Sequence, residues 1–240
     1  MATMAATHRP GVTSWQETRS IPTGEIAASD VVAAREVSIV GALHHPDREL
    51  IGAAVLAHGA GSDFQAKLLR ALAVELCQRG LLVGRINLPY RQRRQQGPPP
   101  PSKAADDRDG IVAACAAMRE LAGAVPLIVG GQSYGGRQAS MAVAQDPSVA
   151  DGLLLTAYPL HPPGKPDRLR TEHLPDICRP SVIIHGSSDA FATSDELAAA
   201  VAAIPAPVHI VEITGAGHDL NPDKKPVAAL AGDAVVAHLL

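Results

Sequence analysis

Residues 131–135 read Gly131-Gln132-Ser133-Tyr134-Gly135, directly behind the apolar run 126–130 and ahead of a helix-like stretch over 134–145. A strand, then a serine with a glycine two residues away on either side, then a helix is an order that few backbone paths accept. The serine has to sit in a strained turn that lifts its hydroxyl above the sheet edge. A Cβ at either flanking position would collide with a neighbouring strand or helix, so glycine is the residue that fits. The helix behind the turn aims unpaired N–H groups and partial positive charge at the point where an oxyanion would form. Ser133 is therefore the candidate nucleophile, and the N–H of Tyr134 a candidate oxyanion donor. In a chain with 21 glycines among 240 residues the pentapeptide alone is a weak signal; its place after an apolar strand gives it weight.

The rest of the chain supplies the scaffold such a turn needs. Short apolar runs predict strands over 36–43, 51–57, 81–88, 126–130, 152–157, 181–185 and 208–213. Helical spacing covers 64–78, 106–121, 134–145, 194–204 and 226–240. The alternation predicts βαβ units with right-handed crossovers, hence an α/β fold: a three-layer α/β/α sandwich on a mostly parallel sheet. One domain over 31–240 accommodates it. Residues 1–30 lack periodicity and read as an N-terminal arm, mobile or an irregular cover. With one tryptophan, three tyrosines and two phenylalanines, the core has to be filled by Ala, Val, Leu and Ile. Four consecutive prolines, Pro98 to Pro101, make 92–103 an exposed loop. The proline-rich connection 158–178 is too short and too broken for a substantial cap, so the site should be open and suit small acyl groups.

Ligands of open α/β sheets sit beyond the carboxyl ends of the strands. Strand 51–57 runs into His58-Gly59-Ala60-Gly61, where glycines let the backbone approach a substrate. The N–H of Ala60 is the candidate second oxyanion donor, with Gly61 as fallback. Strand 181–185 runs into Gly186-Ser187-Ser188-Asp189, and Asp189 can accept the N–H of an imidazole and fix its tautomer. Strand 208–213 is followed by Gly215-Ala216-Gly217-His218, a glycine-rich loop free to swing a histidine in beside a serine. Ser133, Asp189, His218 is a known chain order for a serine–acid–histidine triad. Asp195 and Asp219 are rival acids. Asp195 belongs in the first turn of a helix, where it favours the macrodipole, and Asp219 would have to fold back on its neighbour.

The remaining polar residues read as structure. His58 and His185, at strand ends, are expected to be structural hydrogen-bonding groups; His44, His45, His161 and His173 are expected in solvated loops. Arg91, Arg93 and Arg94 read as a solvated loop; the sharper alternative is that one of them, or Arg137, meets a carboxylate or phosphate on the substrate, and Arg137 has the further option of pairing with an acidic loop residue. Cys77 and Cys115 lie in apolar helical patterns, and no C-x-x-C pair or Cys/His cluster suggests disulfides or metal. A net charge of −3 argues against nucleic acid or an anionic membrane as partner. The chain shows no signal-like apolar region and no bilayer-length run, so a cytoplasmic location is expected.

The motifs His58-Gly59-Ala60-Gly61, Asn87-Leu88-Pro89-Tyr90 and Gly131-Gln132-Ser133-Tyr134-Gly135-Gly136-Arg137, with Ala139-Ser140 just after, resemble the α/β-hydrolase superfamily. Within it the chain looks like the small lidless proteins related to dienelactone hydrolase and the KANL/Tex30-like hydrolases, over residues 35–240. Dienelactone hydrolases proper use a cysteine where this chain has Ser133. The resemblance implies an α/β-hydrolase fold without a substantial cap and says little about substrate. Joined to the residue reading, it points to a serine hydrolase of a small ester or similar activated acyl compound, needing no cofactor. Ser133 would attack, His218 relay the proton, Asp189 orient the imidazole, and Ala60 and Tyr134 hold the oxyanion. A non-catalytic subunit keeping the fold, and an acyltransferase or peptidase using the same triad, stay open.

Overall fold

The structure is a computed structural model, which describes residues 11–23 and 33–240. Its centre is an eight-stranded sheet: β1 (Gly11–Thr23), β2 (Ala33–His45), β3 (Gly52–Ala57), β4 (Leu81–Ile86), β5 (Leu127–Gln132), β6 (Gly152–Thr156), β7 (Ser181–Gly186) and β8 (Val208–Ile213). The spatial order is β1-β2-β4-β3-β5-β6-β7-β8. The pairs β1–β2 and β2–β4 are antiparallel, and every pair from β4 to β8 is parallel.

Strands covered on both faces have to be apolar throughout, and β3, β4, β6 and β7 are buried along their whole length. Successive residues point to opposite faces, which splits the core in two. Leu56, Ile128 and Ile184 meet α1 (Lys67–Gln78) and α6 (Val227–His238) through Leu69, Leu72, Leu76, Val227 and Val235. Val55, Val129, Leu155 and Ile183 meet α3 (Ala104–Ala122), α4 (Tyr134–Gln145) and α5 (Ser194–Val201) through Ile111, Met118, Val143 and Leu197. The result is the three-layer sandwich expected.

Two departures from the sequence pattern lie beside the site. Helix α1 starts at Lys67 because the residues before it are engaged elsewhere: Phe64 N–H donates to Asn87 Oδ1 at 2.9 Å and Gln65 N–H to Asp63 Oδ1 at 2.7 Å. The loop over 92–103 is shorter than expected, since Pro89–Arg93 forms a short helix, α2, with proline at its start, and Pro101–Lys103 a 3-10 turn. Between β6 and β7 the only regular element is the 3-10 turn Leu174–Asp176, so no cap domain is inserted there.

Part of the expected arm is a strand. Residues 11–23 pair with β2 in register along their whole length, Trp15 opposite Gly41. Trp15 anchors the strand: a Cβ on Gly84 of β4 would lie 2.5 Å from the indole, so the missing side chain is what makes room for it. Arg19, two positions from Glu17 on the same face, forks onto Glu120 of α3. The remainder of the arm, 1–10 and 24–32, lies outside the described residues. Among the described residues no helix is long and apolar enough to cross a membrane.

Candidate active site

Ser133 sits between β5 and α4 with φ 50° and ψ −114°, a conformation that costs a non-glycine residue about 1–3 kcal/mol. The glycines around it are there for space. A Cβ on Gly131 (φ 143°) would fall 1.9 Å from the Ala57 carbonyl oxygen, and one on Gly135 2.5 Å from that of His58. The turn is thus pressed against the end of β3, and the first N–H groups of α4, Tyr134 among them, have no intrahelical acceptor.

The structure brings Ser133, His218 and Asp189 together. Ser133 Oγ lies 2.8 Å from His218 Nε2, and His218 Nδ1 lies 3.0 and 2.8 Å from the two Asp189 oxygens. A carboxylate accepts only, so Nδ1 carries a proton, and in the neutral ring Nε2 is the acceptor facing the serine hydroxyl. The Asp189 side chain is fully buried and also accepts the Phe191 N–H at 2.8 Å. Phe191 stacks on the imidazole with ring centroids 3.8 Å apart. The His218 loop is pinned rather than free to swing: Ser188 N–H donates to the Ala216 carbonyl and Gly215 N–H to Ser187 Oγ, each at 2.9 Å. Of the rival acids, Asp195 lies in the first turn of α5 and Asp219 makes no bond to the ring.

The loop after β3 is held by its carbonyls. Gly59 C=O accepts from His58 Nδ1 (2.8 Å), Ser62 N–H (3.1 Å) and Tyr90 O–H (3.3 Å). Ala60 C=O accepts from Tyr90 O–H at 2.7 Å, and Ser62 C=O from Arg91 Nε at 2.7 Å. In a trans peptide the C=O of one residue and the N–H of the next point in opposite directions, and the described residues contain no cis bond. With the Gly59 and Ala60 carbonyls turned inward, the N–H groups of Ala60 and Gly61 are turned outward, and both residues line the cleft in front of Ser133.

That cleft has a volume of about 860 Å³. Pro98, Pro99, Pro101, Ala104, Pro159 and Phe191 form its apolar walls, and Ser62, Gln132, Arg137, Gln138, Arg170 and Asp219 contribute polar lining. The proline loop is therefore a wall of the site. Nothing in its sequence distinguished that role from a solvent-exposed loop.

Several residues expected in solvent are buried. Arg91 is 6 % exposed and donates to the carbonyls of Ser62, Arg94 and Gly97. Its partners are backbone oxygens, which leave no mark in a sequence. His44 is buried in β2 and accepts from Arg85 Nε at 2.9 Å, burial holding its pKa at about 4. His161 is buried beside Glu196, and half-buried His173 bonds Ser140 Oγ at 2.8 Å, burial again lowering its pKa to about 4. His58 is the structural group expected, its Nε2 accepting the Leu88 N–H at 3.2 Å. His185, also buried, has neither ring nitrogen bonded among the described residues. Cys77 and Cys115 are buried, their thiols pushed up to about 11 and about 12 by burial. Among the described residues no group of His, Cys, Asp or Glu could hold a metal ion.

A family profile described as the alpha/beta hydrolase domain matches residues 51–234. Solved structures share the architecture at low identity. A dienelactone hydrolase from Anabaena variabilis is 21% identical over 97% of this chain and 100% of its own, with a TM-score of 0.66. XC6422 from Xanthomonas campestris, described as a serine hydrolase without a lid, is 17% identical over 93% of this chain and 94% of its own, TM-score 0.69. Est1E from Butyrivibrio proteoclasticus, solved with ferulic acid bound, is 14% identical over 83% and 95%, TM-score 0.68.

Proposed function

Since the chain belongs to the alpha/beta hydrolase family, we propose that it is a serine hydrolase of small carboxylic esters or similarly activated acyl compounds. The observation that carries this is the unbroken hydrogen-bond chain from Ser133 Oγ through His218 to buried Asp189, with links of 2.8 Å on either side of the ring. In this reading His218 Nε2 takes the serine proton as Oγ attacks the acyl carbon. The carbonyl oxygen becomes an oxyanion within reach of the N–H groups of Tyr134 and Ala60, with Gly61 adjacent. Asp189 holds the imidazole in the required tautomer and offsets its positive charge. The imidazolium then protonates the leaving alkoxide, and a water molecule releases the acid by the same steps in reverse.

The open cleft and the missing cap suit a small substrate in free solution. Soluble cytoplasmic action without a nucleic-acid or membrane partner belongs to the same proposal. The test is fluorophosphonate labelling, together with turnover of 4-nitrophenyl acetate. The parent should label and turn over, and Ser133→Ala should do neither. Equal labelling of the variant would move the nucleophile elsewhere. A parent inert in both assays would favour the non-catalytic role, and transfer to added alcohols in preference to water would favour an acyltransferase.

A further inference from the structure

The polar lining of the cleft consists largely of hydrogen-bond donors. Arg137 stands four residues past Ser133 on α4, one turn and about 6 Å along the axis, and lines the same cleft. Its Nε is buried and unbonded, and no carboxylate among the described residues pairs with its guanidinium. Arg170 arrives from the β6–β7 connection. Its Nη1 donates to the Pro159 carbonyl at 3.2 Å, its N–H to the Leu160 carbonyl at 2.8 Å, and its own carbonyl accepts Tyr158 O–H at 2.9 Å. These bonds fix the residue, and among the described residues no other acceptor is bonded to its guanidinium. Gln138 is 1 % exposed; Arg108 occupies its Oε1 at 3.1 Å, so Nε2 is the group it can offer.

Two guanidiniums close enough to feel each other, with no carboxylate paired to them among the described residues, are an unfavourable arrangement until an anion joins them. Burial, and after it the charge of Arg137, pushes the Arg170 guanidinium below its ordinary range. Exposed Glu172 is felt by Arg170 but makes no ion pair with it. Among the described residues the acid lining the cleft is Asp219, which adjoins His218.

We propose that Arg137, Arg170 and Gln138 Nε2 form an anion subsite, and that the ester cleaved at Ser133 carries a second, free carboxylate. This rests on the reading of Ser133 as nucleophile. A planar carboxylate matches the guanidinium fork, and the proline and Phe191 walls suit the carbon chain between the two carboxyl carbons. In the reaction the acyl carbon–oxygen ester bond breaks as the bond to Ser133 Oγ forms, and the leaving oxygen takes the proton that His218 received. Water then supplies the hydroxyl of the released acid, which ionises and returns one proton to solvent. The far carboxylate keeps its charge throughout.

Matched esters test it. One pair is 4-nitrophenyl hemiglutarate against 4-nitrophenyl pentanoate, with the carboxylate on the acyl side; the other is 4-acetoxybenzoate against its methyl ester, with it on the leaving side. The parent should favour the charged member of one pair by at least about tenfold in kcat/KM, and the pair that shows it identifies the side. Arg137→Gln and Arg170→Gln should each cut that ratio about ten- to a hundredfold, as expected when a charge-assisted hydrogen bond is lost. Arg168→Gln, on the exposed part of the same connection, should leave it unchanged. Glutarate binding by calorimetry gives a readout without turnover: Ser133→Ala should bind it, and Ser133→Ala/Arg137→Gln should not. No preference in either pair together with no glutarate binding overturns the subsite, even if neutral esters are cleaved and Ser133 labels. Arg137-dependent glutarate binding in a protein that neither labels nor cleaves any ester upholds the subsite and removes the nucleophile reading instead.

Discussion

Replacing His58 by glutamine tests whether the loop after β3 is built on a neutral imidazole. The ring is completely buried, with Nδ1 donating to Gly59 C=O at 2.8 Å and Nε2 accepting the Leu88 N–H at 3.2 Å. Both nitrogens are used in the neutral form. A proton on Nε2 would face the Leu88 N–H, donor against donor. Burial accordingly lowers the pKa from 6.5 to about 4. The unfolded chain takes up this proton below pH 6.5 and the folded chain only near pH 4, so stability falls as pH drops through that window and levels off below it. Between pH 7.5 and pH 5 the loss from this one group works out at about 2 kcal/mol. His58→Gln keeps an acceptor for Leu88 and cannot titrate. It should be about 1 kcal/mol less stable at neutral pH, from the lost bond to Gly59, yet lose about 2 kcal/mol less than the parent on acidification. His44 and His173, held at about 4 by burial, titrate in both proteins and cancel. Urea unfolding of the two proteins at both pH values makes the comparison. An equal loss in parent and variant would refute the argument.

Asp189→Asn should lower kcat by about 10⁴, roughly 5 kcal/mol, because the amide no longer enforces the tautomer that leaves Nε2 free for Ser133; a fall under about tenfold in steady-state ester turnover would contradict the assigned role. Gly135→Ala puts a Cβ 2.5 Å from the backbone oxygen of His58, and thermal unfolding should show a loss of about 1–3 kcal/mol, an unchanged Tm counting against the close approach. Tyr90→Phe removes the 2.7 Å bond to Ala60 C=O. It should slow fluorophosphonate labelling about tenfold while costing about 1 kcal/mol of stability in urea; a labelling rate equal to the parent's would show that the loop holds its shape without that hydroxyl.

What the chain revealed about itself followed from which interactions leave a local pattern. Buried parallel strands are continuous apolar runs, and the glycines at 131 and 135 record a steric demand, so the sheet and the Ser133 turn were legible. Asp189 and His218 were legible as strand-end residues, while their distances follow only from the folded chain. The strand β1 was not, because its inward positions include Glu17 and Arg19 as well as Trp15, and Arg19 finds its partner Glu120 about a hundred positions along the chain. Arg91, His44 and His173 looked like surface residues for the same reason: their partners are a set of carbonyls, an arginine and a serine from distant segments. The donor-rich wall was half visible. Arg137 could be placed one turn past Ser133, but Arg170 comes from a proline-broken connection whose path no periodicity specifies.

The segment Asn87 to Arg91 shows why the site tolerates so little local regularity. Asn87 Oδ1 accepts the Phe64 N–H, Leu88 N–H donates to His58, Tyr90 O–H donates to Ala60, and Arg91 Nε to Ser62. Four residues out of five consecutive positions after β4 thus bind the loop after β3, and the fifth, Pro89, starts α2. Glycines give that loop the freedom to approach a substrate, but freedom alone would leave its N–H groups averaging over many directions. Cross-bonds from a neighbouring strand end remove the freedom again while keeping the close approach. Buried Asp107 completes the support by accepting Tyr90 N–H at 2.9 Å and Tyr134 O–H at 2.8 Å, tying the segment to the first residue of α4. The two backbone donors proposed for the oxyanion, from Ala60 and Tyr134, are therefore braced through one shared group of side chains. Their mutual orientation is set before any substrate arrives, which is the condition under which such donors stabilise a transition state most.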